Sequence, residues 1–349
     1  MQFFHLWGGN SLLYNYNSLI LNLFKNTQPI ALVLVPVFLA ISWVSGSYGE
    51  STFLVANPMP LYNVVYGFFS AWPSWAGGLF GFLLTTSQVF HLNYMVQKHE
   101  VLYKNSYLPA LFNMLFISMI PQFLTFHPVL IANSILLFVL DKLFRIYKNP
   151  AAMSLAFDSC FLIGVATLFY LPAISFFLLF AVSILILKTF SWRDWVVGLI
   201  GLALPFLFTF IYYFWIDDLD EFSNKFFLKN IRQLWDTGGL ILQGYRITLG
   251  VVSFIFILTL IRIRQNFYKN VTRIRNFQQV IFIFLGVALL SLIFTSGSAA
   301  VYRFSILVIP LAVMISYYFL AAKKKWWTEL LFWVLLGLVV FNHANAITG

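Results

Sequence analysis

The sequence has 349 residues, of which 61% are hydrophobic and only 9% are charged. A soluble globular domain carries about 25% charged residues, so this composition excludes an ordinary water-soluble fold. The formal net charge is +10, but the basic residues lie in short loops between apolar runs. That distribution favours a membrane protein with basic loops on one side of the bilayer and argues against a nucleic-acid-binding face.

Eleven apolar runs predict an all-α, polytopic helical bundle that forms a single transmembrane domain over residues 1–349. Some runs are shorter than the roughly 20 residues that a spanning helix needs, so the prediction is about eleven transmembrane helices with loose boundaries. The predicted spans are residues 30–44, 75–95, 108–126, 129–140, 151–170, 173–187, 195–216, 247–261, 279–294, 304–320 and 330–341.

The distribution of basic residues predicts a cytoplasmic N-terminus. With that orientation, 16 of the 21 Lys and Arg residues lie in the cytoplasmic loops, as the positive-inside rule requires. The two large external loops then cover about residues 45–74 and 217–246, and both contain amphipathic stretches. Such stretches predict short helices that lie in the membrane interface.

Two kinds of charged residue in the external loops are candidates for a functional site. Glu50 is the only charged residue of the first external loop, which predicts a general base or a metal ligand, or alternatively a solvated loop residue. Arg246 and Arg303 each lie where an external loop re-enters the membrane. Because the guanidinium group binds phosphate through two parallel hydrogen bonds, these arginines and Tyr302 predict a lipid-phosphate site. The alternative is interfacial snorkelling or an ion pair with a loop carboxylate.

Carboxylates elsewhere carry weaker hypotheses. Asp158 lies within the fifth predicted span, where an ionisable residue indicates a functional polar site, unless Lys148 or Arg145 pairs with it. Asp217, Asp218 and Asp220 lie close together in the second large external loop. They predict a site for a divalent cation such as Mg²⁺ or Mn²⁺, or else acidic residues that favour a helix N-terminus.

Two stretches resemble a known group of proteins. KNSYLPALFNMLF (residues 104–116) and residues 161–208 are similar to an uncharacterised family of polytopic inner-membrane proteins of Gram-negative bacteria. That resemblance implies a multi-pass protein of the bacterial inner membrane and implies no activity.

More distantly, the layout resembles membrane-integral glycosyltransferases of the C-type fold. Those enzymes carry an acidic residue in the first external loop, where this chain has Glu50, and a late Arg-aromatic-Pro segment, which YRFSILVIP (residues 302–310) resembles. The resemblance implies a catalytic acid or base at Glu50, and a polyprenyl-phosphate sugar donor held by basic residues. The chain departs from that pattern in its short external loops and in having Glu where Asp is usual.

Three functions are therefore considered. The first is glycosyl transfer from a lipid-phosphate-linked sugar at the external face of the inner membrane, with membrane lipids and a polyprenyl phosphate as partners. The second is a non-enzymatic subunit or scaffold that binds other cell-envelope proteins. The third is transport of a lipid or small solute, for which the spans offer few polar residues beyond Asp158, Asn133 and Gln88.

Overall fold

The computed structural model describes residues 19–46, 59–219, 243–293, 301–322 and 324–348. Over these ranges the protein is built from α-helices and short 3₁₀ segments, without β-strands. The α-helices are α1 (Leu19–Lys25), α2 (Pro29–Gly46), α3 (Pro60–Ser70), α4 (Ser74–Lys98), α5 (Leu108–Ser118), α6 (Pro128–Ile146), α7 (Ala152–Phe169), α8 (Phe176–Leu187), α9 (Trp192–Trp215), α10 (Arg246–Asn266), α11 (Thr272–Ile293), α12 (Val308–Ala321) and α13 (Lys325–Thr348). The 3₁₀ segments are Pro121–Leu124, Leu171–Ser175, Gln243–Tyr245, Phe267–Lys269 and Val301–Leu307.

Six of the described helical segments are long and apolar enough to cross a membrane, judged by length and composition. They are Ala152–Phe169, Trp192–Trp215, Arg246–Lys269, Thr272–Leu292, Val301–Ala321 and Trp326–Ala346. Shorter apolar helices cover Pro29–Val44, Leu108–Ser118 and Leu171–Leu187. These segments confirm the prediction of an all-α helical bundle with several helices that could span a membrane. The total of about eleven spans and the orientation remain predictions.

The third predicted span, residues 108–126, is not one continuous helix. α5 ends at Ser118, and the 3₁₀ segment Pro121–Leu124 follows it. Pro121 explains the break, because proline lacks a backbone N–H and disfavours helical geometry in the residue before it. That residue, Ile120, is extended, with φ −122° and ψ 115°.

The core is centred on α5, whose eleven residues are all buried. It packs against α2, α4, α12 and α13. A helix that is apolar all round is stable only when other helices surround it, which is the position that α5 occupies.

Small residues allow α7 and α9 to pack closely against each other. A Cβ atom added at Gly201 would lie 2.6 Å from the backbone oxygen of Phe157, and one added at Gly164 would lie 2.8 Å from that of Leu202. Glycine at both positions therefore lets the two backbones approach, as is common between helices in membranes.

The chain alternates between two ends of the bundle. α6 shows the separation: it begins at Pro128 and runs for 19 residues, which is roughly 28 Å at 1.5 Å per residue. Its first turns meet the segment Val301–Leu307, whereas Asp141 and Lys142 lie in its last third. The two ends differ sharply in chemistry.

Candidate functional site

Several predicted site residues lie near one end of the bundle. Tyr302 and Arg303 belong to the 3₁₀ segment Val301–Leu307, and Arg246 is the first residue of α10. Glu50 and Asp220 lie outside the described residues, so their predicted roles stay predictions.

The segment Val301–Leu307 places Tyr302 on a buried histidine. The rings of Tyr302 and His127 are stacked, with centroids 4.7 Å apart and planes 18° from parallel. Arg303 hydrogen-bonds the Tyr302 side chain and is half-buried. We call the group formed by Tyr62, Phe126, His127, Tyr302 and Arg303 the aromatic end.

His127 is fixed by the start of α6. Its Nδ1 accepts a hydrogen bond from the backbone N–H of Leu130 at 3.0 Å, so it caps the helix N-terminus. The ring is neutral, because burial lowers the pKa of His127 to about 3, although the nearby Phe123 carbonyl favours the protonated form. Proline at the first helical position, Pro128, marks this helix start in the sequence. Nothing in the sequence indicated that the histidine would be buried under Tyr302.

α3, in the first predicted external loop, lies beside the same residues. The Tyr62 hydroxyl donates to the backbone oxygen of Phe126 at 3.2 Å, and the two rings are stacked. Burial raises the pKa of Tyr62, and the neighbouring Tyr302 raises it further, so the phenol stays neutral. Val64 and Phe68 on the opposite side of α3 are well exposed, as expected for a short helix in the membrane interface.

Arg246 is tied to the same end through its neighbour. The Tyr245 hydroxyl donates to Gln122 Oε1 at 2.6 Å, which fixes the start of α10 to the 3₁₀ segment Pro121–Leu124. That segment packs in turn against Val301–Leu307. Arg246 itself is exposed, so its guanidinium group is accessible at the surface.

α13 closes this end with neutral hydrogen bonds. Asn342 Nδ2 donates to the Met119 carbonyl at 2.7 Å and to Thr248 Oγ1 at 2.9 Å. Both Asn342 and Thr248 are buried. The ends of α5 and α13 and the start of α10 are therefore held together without charge.

Two buried polar groups lie directly behind Tyr302. Asn133 of α6 donates from Nδ2 to the backbone oxygen of Ser305 at 3.1 Å, and both side chains are at least 95% buried. Asn133 Oδ1 and Ser305 Oγ make no hydrogen bond with any residue that the structure describes. Sequence reasoning noted Asn133 only as one of a few polar residues within the spans.

An apolar groove lies between α8, α9 and α11 and contains about 640 Å³ of free volume. Pro172 and Leu171 line it at the end where α8 begins, Leu290 of α11 lines one wall, and Trp195 of α9 lines another. Ser175 is the one polar residue of the lining, and its hydroxyl donates to the Pro172 carbonyl. The groove therefore has the chemistry of a site for a hydrocarbon chain.

Asp217 and Asp218 follow the end of α9. Asp217 has φ 54°, its N–H donates to the Phe214 carbonyl at 3.3 Å, and the Asp218 N–H donates to the Tyr213 carbonyl at 3.0 Å. This is a Schellman motif, in which a left-handed residue ends the helix, and Asp tolerates that conformation better than most residues. Among the described residues, no group of three His, Cys, Asp or Glu side chains is placed to hold a metal ion.

The opposite end of the bundle is charged. We call it the ion-paired end and define it by Lys98, His99, Glu100, Asp141, Lys142, Asp158, Lys188, Asp194 and Arg273. Asp158 is paired there with Lys142 at 2.6 Å, whereas the alternative considered from the sequence was a pair with Lys148 or Arg145. The reason is position: Lys142 projects from α6 toward α7, and these two helices pack closely.

No family model matches the chain, and searches of the curated proteins and of the solved structures found no match. The function is therefore argued from the residues at the two ends of the bundle.

Proposed function

We propose that the protein is a glycosyltransferase-like protein of the bacterial inner membrane that binds a lipid-phosphate-linked sugar at the aromatic end. The observation that carries the proposal is the position of Tyr302 and Arg303. Tyr302 stacks on buried His127 and lies near Tyr62 of the first predicted external loop, and Arg303 hydrogen-bonds Tyr302. Residues about 240 positions apart in the chain are thereby brought to one surface.

The phosphate would be bound by arginine. Arg303 is half-buried and is held by its hydrogen bond to Tyr302, and a preorganised guanidinium group loses less freedom when it binds a phosphate. Arg246 lies at the same end through the Tyr245–Gln122 hydrogen bond. Two guanidinium groups at a membrane surface suit a phosphate headgroup better than a neutral one.

The hydrocarbon chain of the lipid would occupy the apolar groove. The 3₁₀ segments Leu171–Ser175 and Val301–Leu307 both pack against α11, so one helix joins the groove to the aromatic end. Ile174, Leu178 and Leu185 along the groove are about half-exposed and would contact lipid. This arrangement supports a ligand with a phosphate headgroup and a long apolar chain.

In this proposal Glu50 supplies the acid–base chemistry. Its carboxylate takes the proton from the acceptor hydroxyl, whose oxygen attacks the anomeric carbon of the sugar. The bond from that carbon to the phosphate oxygen breaks, and the lipid phosphate leaves with the electron pair. Arg303 and Arg246 stabilise the charge that develops on the departing phosphate. A divalent cation, Mg²⁺ or Mn²⁺, would add to that stabilisation if external carboxylates bind one.

The test is binding of a polyprenyl phosphate to the purified protein in nanodiscs. Arg303→Gln is expected to weaken binding roughly 10- to 100-fold, because it removes charge-assisted hydrogen bonds. Arg275→Gln is the matched control, since Arg275 is also half-buried but lies near the start of α11, at the ion-paired end, where it donates to Thr272 and lies over the Phe267 ring. Neutral polyprenol should bind wild type and Arg303→Gln equally.

Turnover separates Glu50 from the arginines. Glu50→Gln should abolish sugar transfer and leave binding of polyprenyl phosphate unchanged, because it removes the acid–base group and little volume. If Arg303→Gln binds polyprenyl phosphate as tightly as wild type, the proposal fails and the scaffold function becomes the better hypothesis.

A scaffold for envelope proteins is the second candidate, and one observation favours it. Only 17% of the apolar window of α9 is buried, so this helix presents a wide surface that a partner helix could cover. Transport is less well supported. Gln88 donates to the Leu130 carbonyl at 2.6 Å and to Ser134, and Asp158 is ion-paired, so these polar groups already have partners within the bundle.

A further inference from the structure

We propose that Asn133 and Ser305 form an internal binding site for one oxygen atom that both donates and accepts hydrogen bonds. The shared chemistry is that of a water molecule or of an alcohol hydroxyl on the bound headgroup. The hydroxyl source rests on the proposed function, whereas the water source does not.

The amide of Asn133 has a fixed orientation. The Ser305 backbone oxygen accepts from Asn133 at 3.1 Å, and a carbonyl can accept only from the NH₂ side of the amide. Asn133 Oδ1 is therefore the atom left over, and it is an acceptor without a partner among the described residues.

Ser305 supplies the second unpaired group. The hydrogen bond from Asn133 Nδ2 to the Ser305 backbone oxygen brings the two residues together, and Ser305 Oγ also has no described partner. A buried polar atom without a hydrogen bond has lost its hydration without compensation and is destabilising. In this proposal one small ligand donates to Oδ1 and bonds Oγ, so that both atoms gain a partner.

The ligand must donate to Asn133 Oδ1, whereas Ser305 Oγ can either donate to it or accept from it. Asn133 Oδ1 repels an anion, and among the described residues no group of three His, Cys, Asp or Glu side chains is placed to hold a cation. Water and alcohol hydroxyls fit these requirements.

The site lies behind the aromatic end. In a 3₁₀ helix residues i and i+3 eclipse each other, so Tyr302 and Ser305 lie on one face of Val301–Leu307, against His127 and Asn133 of α6. A headgroup bound by Arg303 would therefore have a polar contact available behind Tyr302.

The test is the melting temperature of Ser305→Ala compared with two matched serine variants. Ser183 of α8 is also fully buried without a described partner, so Ser183→Ala measures removal of an isolated buried hydroxyl. Ser316 of α12 donates to the Ala312 carbonyl at 2.6 Å, so Ser316→Ala measures loss of an ordinary helix bond. Each protein is measured in detergent alone, with polyprenyl phosphate, and with a sugar-bearing polyprenyl phosphate.

Ser305→Ala is expected to lower the melting temperature by several degrees relative to Ser183→Ala. If that loss appears in detergent alone, the bound oxygen is water. If Ser305→Ala instead loses only the extra stabilisation given by the sugar-bearing lipid, the oxygen is a hydroxyl of the ligand. The inference is overturned if Ser305→Ala behaves like Ser183→Ala in all three conditions.

A second measurement checks that one oxygen is shared. Asn133→Leu and the double variant Asn133→Leu/Ser305→Ala complete a double-mutant cycle. A shared oxygen is lost in either single variant, so the double variant should cost less than the sum of the two. Additive losses would contradict a shared site even if Ser305→Ala is destabilised. Binding of polyprenyl phosphate should persist in Ser305→Ala, which separates this inference from the role proposed for Arg303.

Discussion

Polar groups are buried in different ways at the two ends of the bundle. At the ion-paired end, opposite charges on neighbouring helices pair, as in Lys142–Asp158 at 2.6 Å and Lys188–Asp194 at 2.7 Å. At the aromatic end, stacked rings and neutral hydrogen bonds pack around Arg303. An end whose charges are paired internally is suited to stabilising the fold. Asn133 and Ser305 at the aromatic end keep hydrogen-bonding groups without a described partner, as do Ser106 and Gln278 near the ion-paired end. The aromatic end differs in that its two such groups lie on residues joined by a hydrogen bond.

Contacts at both ends join residues that are distant in the chain. At the ion-paired end, Lys98 and His99, where α4 ends, lie 3.0 and 2.6 Å from Asp141 of α6. At the aromatic end, His127 stacks on Tyr302. Such contacts depend on the tertiary fold and leave little trace in local sequence.

Membrane orientation gives the largest expected effect, because labelling is all-or-none. Cysteine at Lys269, predicted to be cytoplasmic, should be protected from an impermeant thiol reagent in intact cells. Cysteine at Gly244, which is exposed and beside the aromatic end, should be labelled. The native Cys160 is buried, so background labelling should be low. The reverse pattern would put the aromatic end in the cytoplasm and remove the basis for an external site.

At the ion-paired end, the free energy lost when an ion pair is broken should depend on how deeply its carboxylate is buried. Asp194 is almost fully buried, with a side chain 3% exposed, whereas Asp158 is 37% exposed. Lys188→Met leaves a buried carboxylate without its partner and should cost about 3 kcal/mol. Lys142→Met should cost less than Lys188→Met, because the Asp158 carboxylate is less buried than that of Asp194. Reversible unfolding in mixed micelles measures both. Equal losses would mean that water reaches Asp194 as readily as Asp158.

Sequence reasoning predicted most of the helices and little of the site. Apolar runs located the helices to within a few residues for elements such as α4, predicted at 75–95 and observed at Ser74–Lys98, because hydrophobicity is a local property. The helix break before Pro121 could have been predicted from the sequence, since proline acts locally. The sequence could not predict the partner of Asp158 or the stacking of Tyr302 on His127, because these contacts depend on which helices become neighbours.

The last predicted effect concerns pH at the aromatic end. Burial lowers the pKa of His127 to about 3 in the folded protein, against about 6.5 when unfolded. Between these two pKa values, the unfolded state therefore binds a proton at this histidine and the folded state does not. Stability is fully present above pH 6.5 and is lost as the pH falls toward 3, by up to about 2 kcal/mol at pH 5.

His127→Asn is the matched variant, because Asn also caps a helix N-terminus and does not titrate. Melting temperatures from pH 8 to pH 5 should fall more steeply for wild type than for His127→Asn. Parallel curves would show that His127 can be protonated in the folded protein. The hypothesis that neutral packing distinguishes the aromatic end from the ion-paired end would then be wrong.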